Sequence, residues 1–255
     1  MSSPVLGLLI PSTNTTAEPE YHRLAPASVR VQTGRMLVRD ATISDDASYL
    51  NLTRQMYDEA EPAARILATA EPEHVSYGMA ATSFMGGPPA DEALRERLQE
   101  LCGCAVTSAP QAFLAAFAEL GIDTIAVLSP FQPAVEAEVV GYFTGCGIEV
   151  AVIDSFRPPR TTEIARVGEA RIEAALRAAD RPKVQAIVQL GTNLPASRFA
   201  AFALAELGKP FLHVNTVMLW HSLRSLHGVD ADAPTIDLPA TADPPEPTDT
   251  PKDQS

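Results

Sequence analysis

The sequence predicts an α/β protein made of two similar Rossmann-like αβα lobes. Each lobe has a parallel sheet, and a pseudo-twofold axis relates them, with an active-site cleft between. Two observations carry this prediction. Short apolar, β-branched runs alternate with helical stretches along most of the chain, and such alternation implies parallel sheets covered by helices on both faces. Three pairs of segments also match at equivalent places: LGLLIPSTN with IAVLSPFQP, VSYGMAATS with AIVQLGTNL, and CAVTSAPQAFLAAFAELG with PFLHVNTVMLWHSLRSLHG. The spacing exceeds that of solenoid repeats.

Taken in order, residues 5–10 read as a strand ending in PSTNTT, then a short helix at 19–24 and a strand at 29–38. Residues 48–70 read as one long amphipathic helix with Leu50, Leu52, Met56, Ala64, Ile66 and Leu67 inward. The stretch VSYGMAATSFMGG (75–87) reads as a buried strand delivering Thr82 and Ser83 at a sheet edge, followed by a helix at 91–102. In open α/β sheets that edge is where ligands bind; hydroxyls before Gly-Gly-Pro-Pro also serve simply to close a turn. A strand at 105–107 and a helix at 110–120, stopped by Gly121, complete the first pass.

The second pass predicts strands at 124–128, 148–153, 184–190 and 211–214. Its helices are at 134–144, 162–179, 197–207 and 216–226. The lobes are assigned as 1–107, completed by a helix over 216–228, and 108–215. Residues 229–255 hold seven acidic residues, one lysine and few large apolar side chains. That stretch is expected to be a disordered, acidic, proline-rich tail, because it buries too little to offset its ordering entropy.

The net charge of −13 without a basic stripe argues against nucleic acid as partner. No apolar run approaches the roughly 20 residues of a membrane helix, and residues 1–10 lack a basic segment ahead of their apolar run. A cytoplasmic location without membrane association is expected. Cys102, Cys104 and Cys146 lack zinc or CxxC spacing and read as small buried hydrophobes. The five histidines show no metal-ligand spacing, so no metal site is expected. Neither GxGxxG nor GxxxxGK[ST] occurs, and no GxSxG elbow.

Four turns follow strands at facing edges. They offer Ser12, Thr13, Asn14, Thr15 and Thr16; Thr82 and Ser83; Ser129; and Thr192 and Asn193. Each precedes a helix, so hydroxyls, amides and helix N-termini converge as a metal-free anion site suited to a small carboxylate. Arg35 is either a clamp on that carboxylate or one half of a surface ion pair.

With these residues placed, the chain resembles the maleate cis–trans isomerase and arylmalonate decarboxylase family, within the aspartate/glutamate racemase superfamily. The carriers are PSTNTTAEPE, GRMLV (34–38), TSF (82–84), VTSAPQA (106–112), TTEIARV (161–167), LGTNLP (190–195) and NTVMLWHSLR (215–224). The resemblance implies the two-lobed fold, a cofactor-free site between the lobes, small dicarboxylates as substrates, and a dimer or higher homo-oligomer. It also implies cysteines at the strand ends, where this chain has Ala81 (or Ala80) and Gly191; Phe131 replaces a usual tyrosine, and Thr162 a common asparagine.

Without thiols, two-base racemisation and thiolate addition lose their acting groups. What remains is stabilisation of an enediolate by a dioxyanion hole, with Thr82 and Ser83 as catalytic donors. Ser12, Asn14, Thr15, Arg35, Ser129, Gly191, Thr192 and Asn193 would bind the substrate. A decarboxylase is expected, with Tyr21, His22, Tyr49 and Glu18 as candidate acids. The alternatives are a non-catalytic carboxylate binder and a maleate-type isomerase or racemase; a form of the latter using Cys102 or Cys104 places its thiol at the far end of its strand.

Overall fold

The structure is a computed structural model that describes residues 3–226; the expected tail lies outside the described residues. The first pass runs β1 (Val5–Pro11), α1 (Ala17–Leu24), β2 (Arg30–Met36), α2 (Asp46–Asp58), α3 (Ala60–Ala68) and β3 (His74–Tyr77). It continues through α4 (Ala80–Phe84), α5 (Gly87–Cys102), β4 (Ala105–Thr107) and α6 (Ala109–Leu120). The second runs β5 (Thr124–Ser129), α7 (Pro133–Gly145), β6 (Glu149–Ser155), a 3-10 turn (Thr161–Arg166), α8 (Glu169–Ala179) and β7 (Ala186–Gln189). A second 3-10 turn (Ser197–Phe199), α9 (Ala200–Leu207), β8 (Phe211–His213) and α10 (Val214–Leu223) close it.

Both sheets are four-stranded and all-parallel, ordered β2-β1-β3-β4 and β6-β5-β7-β8. The same order therefore recurs in the two passes, as the internal repeat predicts. All seven residues of β1 are buried, which is why it reads as a continuous apolar run rather than an alternating one. One side of the first sheet packs Leu6, Leu8 and Ile10 against Tyr21 of α1 and Leu219 of α10. The principal core takes residues from both sheets. Phe84, Phe113, Phe117, Tyr142 and Phe143 interlock within it, with ring centroids 5.2–6.4 Å apart. Among the described residues no helix is long and apolar enough to cross a membrane.

Two long helices expected from periodicity are each interrupted. The 48–70 stretch breaks at Glu59 into α2 and α3, because Pro62 has no N–H for the Asp58 carbonyl and its ring crowds that oxygen. The 162–179 stretch is a 3-10 turn, then a non-helical Val167 and an extended Gly168, then α8. The Gly168 carbonyl accepts the first N–H groups of that helix, from Arg171 and Ile172. The segment after β3 is a short helix, α4, rather than an open turn.

His74 Nε2 and His221 Nδ1 both bond the Thr107 hydroxyl at 2.8 Å. Burial, with a smaller contribution from His221, pushes His74 down to about 4 from 6.5, and burial also lowers His221. The unfolded chain protonates these rings below about 6.5, whereas the folded chain resists until His74 reaches its lowered value. Stability is therefore expected to fall as pH drops from about 6.5 to 4, by about 3 kcal/mol for His74 alone. Urea midpoints at pH 7 and about 4.5 should show that decline, and His74→Gln should flatten it.

Candidate active site

The carboxyl ends of β1, β3, β5 and β7 converge on a cavity of about 40 Å³, room for roughly three waters or one compact organic acid. The turn after β1 contributes Pro11, Thr13 and Asn14, and α2 contributes Tyr49 and Met56. Met79, Ala80 and Ala81 enter from the start of α4, and Pro130 and Phe131 follow β5. Thr161 and Ile164 come from the 3-10 turn, and Gly191, Thr192 and Asn193 from the turn after β7.

Of the residues expected from sequence, Asn14, Ala81, Gly191, Thr192 and Asn193 thus share one wall. The side chains of three of them are already engaged within the protein. Asn14 Nδ2 donates to Thr192 Oγ1 at 2.9 Å, while its Oδ1 accepts the N–H groups of Thr16 and Ala17 at 3.0 Å. Thr192 passes its own hydroxyl hydrogen to the Gly78 carbonyl at 2.8 Å. Asn193 Oδ1 accepts the Thr15 N–H at 2.9 Å, and its Nδ2 donates to the carbonyls of Thr161 (3.0 Å) and Thr13 (3.3 Å). These amides stitch the two sheets' strand ends together and shape the cavity.

Ser12, Thr15, Arg35, Thr82, Ser83 and Ser129 are not in that wall. The hydroxyls of Ser12 and Ser129 accept the N–H groups of Val38 and Phe131, each at 3.0 Å. Arg35 donates to the Asn14 carbonyl at 3.0 Å and pairs with Glu18 on a half-exposed surface, which is its ion-pair reading. Thr82 Oγ1 donates to the Met79 carbonyl at 2.9 Å and meets Tyr77 Oη at 2.8 Å; Ser83 Oγ also turns back on the Met79 carbonyl. Helix α4 is the physical reason: in a helix, Ser and Thr hydroxyls reach back to the carbonyl three or four residues earlier. The helix instead leaves its first N–H groups, at Ala80, Ala81 and Thr82, without intrahelical acceptors, and no side chain caps them at Met79.

Among the described residues, Tyr49 is the one ionisable side chain in the cavity wall. Burial, reinforced by the nearby Glu136 carboxylate, holds its phenol well above the ordinary value, so it stays protonated. Sequence offers it only as one of four acids, because nothing in the helical pattern of α2 marks which tyrosine faces inward. Thr161 goes unnoticed altogether as a ligand. Its Oγ1 is buried with no hydrogen-bond partner among the described residues, a signal that exists only in three dimensions. The free thiols Cys102, Cys104 and Cys146 are absent from the wall.

The two positions where the resemblance expects thiols both line the cavity. Ala81 sits in regular helix. Gly191 has φ +92°, and a Cβ there would lie 2.3 Å from Pro130 Cγ.

The arylmalonate decarboxylase family profile matches residues 6–236. The chain belongs to the arylmalonate decarboxylase family. A maleate isomerase of Geobacillus stearothermophilus is 25% identical over 235 residues, covering 87% of this chain and 91% of that one. A solved Nocardia farcinica maleate cis–trans isomerase mutant, described with a covalently bound succinylcysteine intermediate, superposes with a TM-score of 0.78. It is 22% identical and covers 87% of this chain and 92% of its own. A solved arylmalonate decarboxylase superposes with a TM-score of 0.70 at 17% identity, covering 89% and 94%. These likenesses establish for this arylmalonate decarboxylase family member the same two-sheet fold.

Proposed function

We propose that the cavity decarboxylates a compact malonate-type dicarboxylate without a cofactor, in the cytoplasm. The observation that carries this reading is the content of the wall: among the described residues it holds one protonated phenol, the uncapped start of α4 and a buried threonine hydroxyl with no hydrogen-bond partner, and no thiol. The Nocardia relative is described with a succinylcysteine intermediate, which requires a cysteine that this wall lacks. Decarboxylation has no such requirement. One carboxylate is held by the N–H groups at the start of α4 and by Thr161 Oγ1. The bond from the α-carbon to the other carboxyl then breaks, carbon dioxide leaves, and the electron pair remains as an enediolate. Each donor aimed at that charge contributes roughly 3–4 kcal/mol to the transition state. Tyr49 supplies the proton to the α-carbon and recovers one from water.

The apolar remainder of the wall, including Met56, Met79, Phe131 and Ile164, supports release of a neutral molecule from a dry site, where charge interactions are strongest. Incubating the protein with malonate, methylmalonate, phenylmalonate and maleate in D2O, followed by proton NMR, tests the reading. The expected result is carbon dioxide release with one deuterium at the α-carbon of the product. Conversion of maleate to fumarate alone would replace the decarboxylase with an isomerase. Thermal stabilisation by the panel without turnover would replace it with a binder.

A further inference from the structure

We propose that Glu20 and Asn215 are positioning residues, which hold the turn 191–193 from behind and so set where a carboxylate sits in the cavity. This inference rests on reading the cavity as a carboxylate site. Neither residue is in the cavity wall, and both are buried.

The Glu20 carboxylate takes one donor on each oxygen: Ser197 Oγ at 2.6 Å on Oε1 and Asn215 Nδ2 at 2.7 Å on Oε2. Asn215 Nδ2 has two hydrogens, and the other goes to the main-chain carbonyl of Thr192 at 2.9 Å. The Thr192 side chain is bonded to Asn14, and Asn14 accepts the N–H groups at the start of α1, one turn before Glu20. A closed circuit results, running from Asn14 through Thr192, Asn215 and Glu20 back along α1.

The chemistry of each member suits this task. A buried carboxylate is costly unless its oxygens are matched. Here both neighbours present donors, which an acceptor-only group satisfies at once. Ser197 is itself supplied by Arg23 Nη2 at 2.9 Å, so the buried charge is linked to a surface guanidinium. His213 Nδ1 stands 3.9 Å from Oε2, beyond hydrogen-bond distance. The turn also needs outside restraint. Gly191 occupies left-handed backbone, where glycine moves as freely as anywhere else, and the restrained carbonyl belongs to the very next residue.

The test is hydrogen–deuterium exchange of the full chain on peptides covering residues 190–196, with malonate as the probe ligand. Glu20→Ala and Asn215→Ala should each speed exchange there about tenfold, leave peptides of β5 unchanged, and weaken malonate binding about tenfold. Glu20→Gln keeps an acceptor for Asn215, and the Ser197 hydroxyl can turn to accept from the new amide. It should therefore remain within about threefold of the wild type in both readouts. Near-ultraviolet circular dichroism identifies variants that fail to fold, and Glu20→Gln against Ser197→Ala then decides. Unchanged exchange at 190–196 overturns the proposal, as does Glu20→Gln behaving like Glu20→Ala. A wild-type protein that binds neither malonate, phenylmalonate nor maleate overturns the carboxylate reading instead, and the exchange result is read independently of it.

Discussion

Replacing Gly191 by cysteine is expected to lower the melting temperature by roughly 6–12 °C. Two costs add. A side chain in the left-handed region costs roughly 1–2 kcal/mol, and Gly191 lies there at φ +92°. The new Cβ would also lie 2.3 and 2.7 Å from Cγ and Cδ of Pro130, an overpacking of about 1–3 kcal/mol. About 3 kcal/mol in a chain of this size corresponds to that temperature shift. Gly191→Ala should show most of the loss, since the β-carbon itself collides. Ala81→Cys is the contrast, because that site is regular helix beside the cavity, and its melting temperature should move by no more than about 3 °C. Thermal unfolding followed by circular dichroism measures all three. Restoring a thiol at position 191 therefore also demands a change at Pro130.

Tyr49→Phe should reduce turnover by roughly 10²–10⁴-fold while costing no more than about 1 kcal/mol of stability. The ring, packed 6.3 Å from Phe131 between centroids, is kept; only the proton source is lost. Because burial and Glu136 both raise the phenol above its ordinary value of 10.0, the acid form persists in alkali. The wild-type rate should consequently show no decline from Tyr49 ionisation up to about pH 10. The check is the initial rate of carbon dioxide release against pH, for wild type and variant. An undiminished rate in Tyr49→Phe would remove Tyr49 from the mechanism.

The strand–helix order and the duplicated sheet were legible because buried parallel strands are continuous apolar runs, such as VLGLLIP, bounded by turn residues. Helix interruptions were not, since one missing N–H at Pro62 does not alter the apolar spacing on either side. At the site, convergence of Asn14, Thr192 and Asn193 was visible from their places in turns that follow strands at facing sheet edges. Their role was not: the sequence offers them as ligands, whereas the structure bonds Asn14 to Thr192 and engages Asn193 with the backbone of Thr13, Thr15 and Thr161. Thr82 and Ser83 illustrate the same limit, because a short helix redirects hydroxyls that a plain turn would present. Glu20 and Asn215 lie 195 positions apart, and no local pattern links a carboxylate on α1 to an amide on α10.

The principal core has a consequence for how the chain comes apart. It draws on β3, α4 and α5 from the first pass and on β5, α7 and β7 from the second, without a seam between them. Either pass alone would leave the ring cluster around Phe143 half wetted, a loss of apolar burial that neither sheet could make good by itself. Duplicated in pattern, the two passes are joined by that shared core, and they are expected to melt as a single cooperative unit.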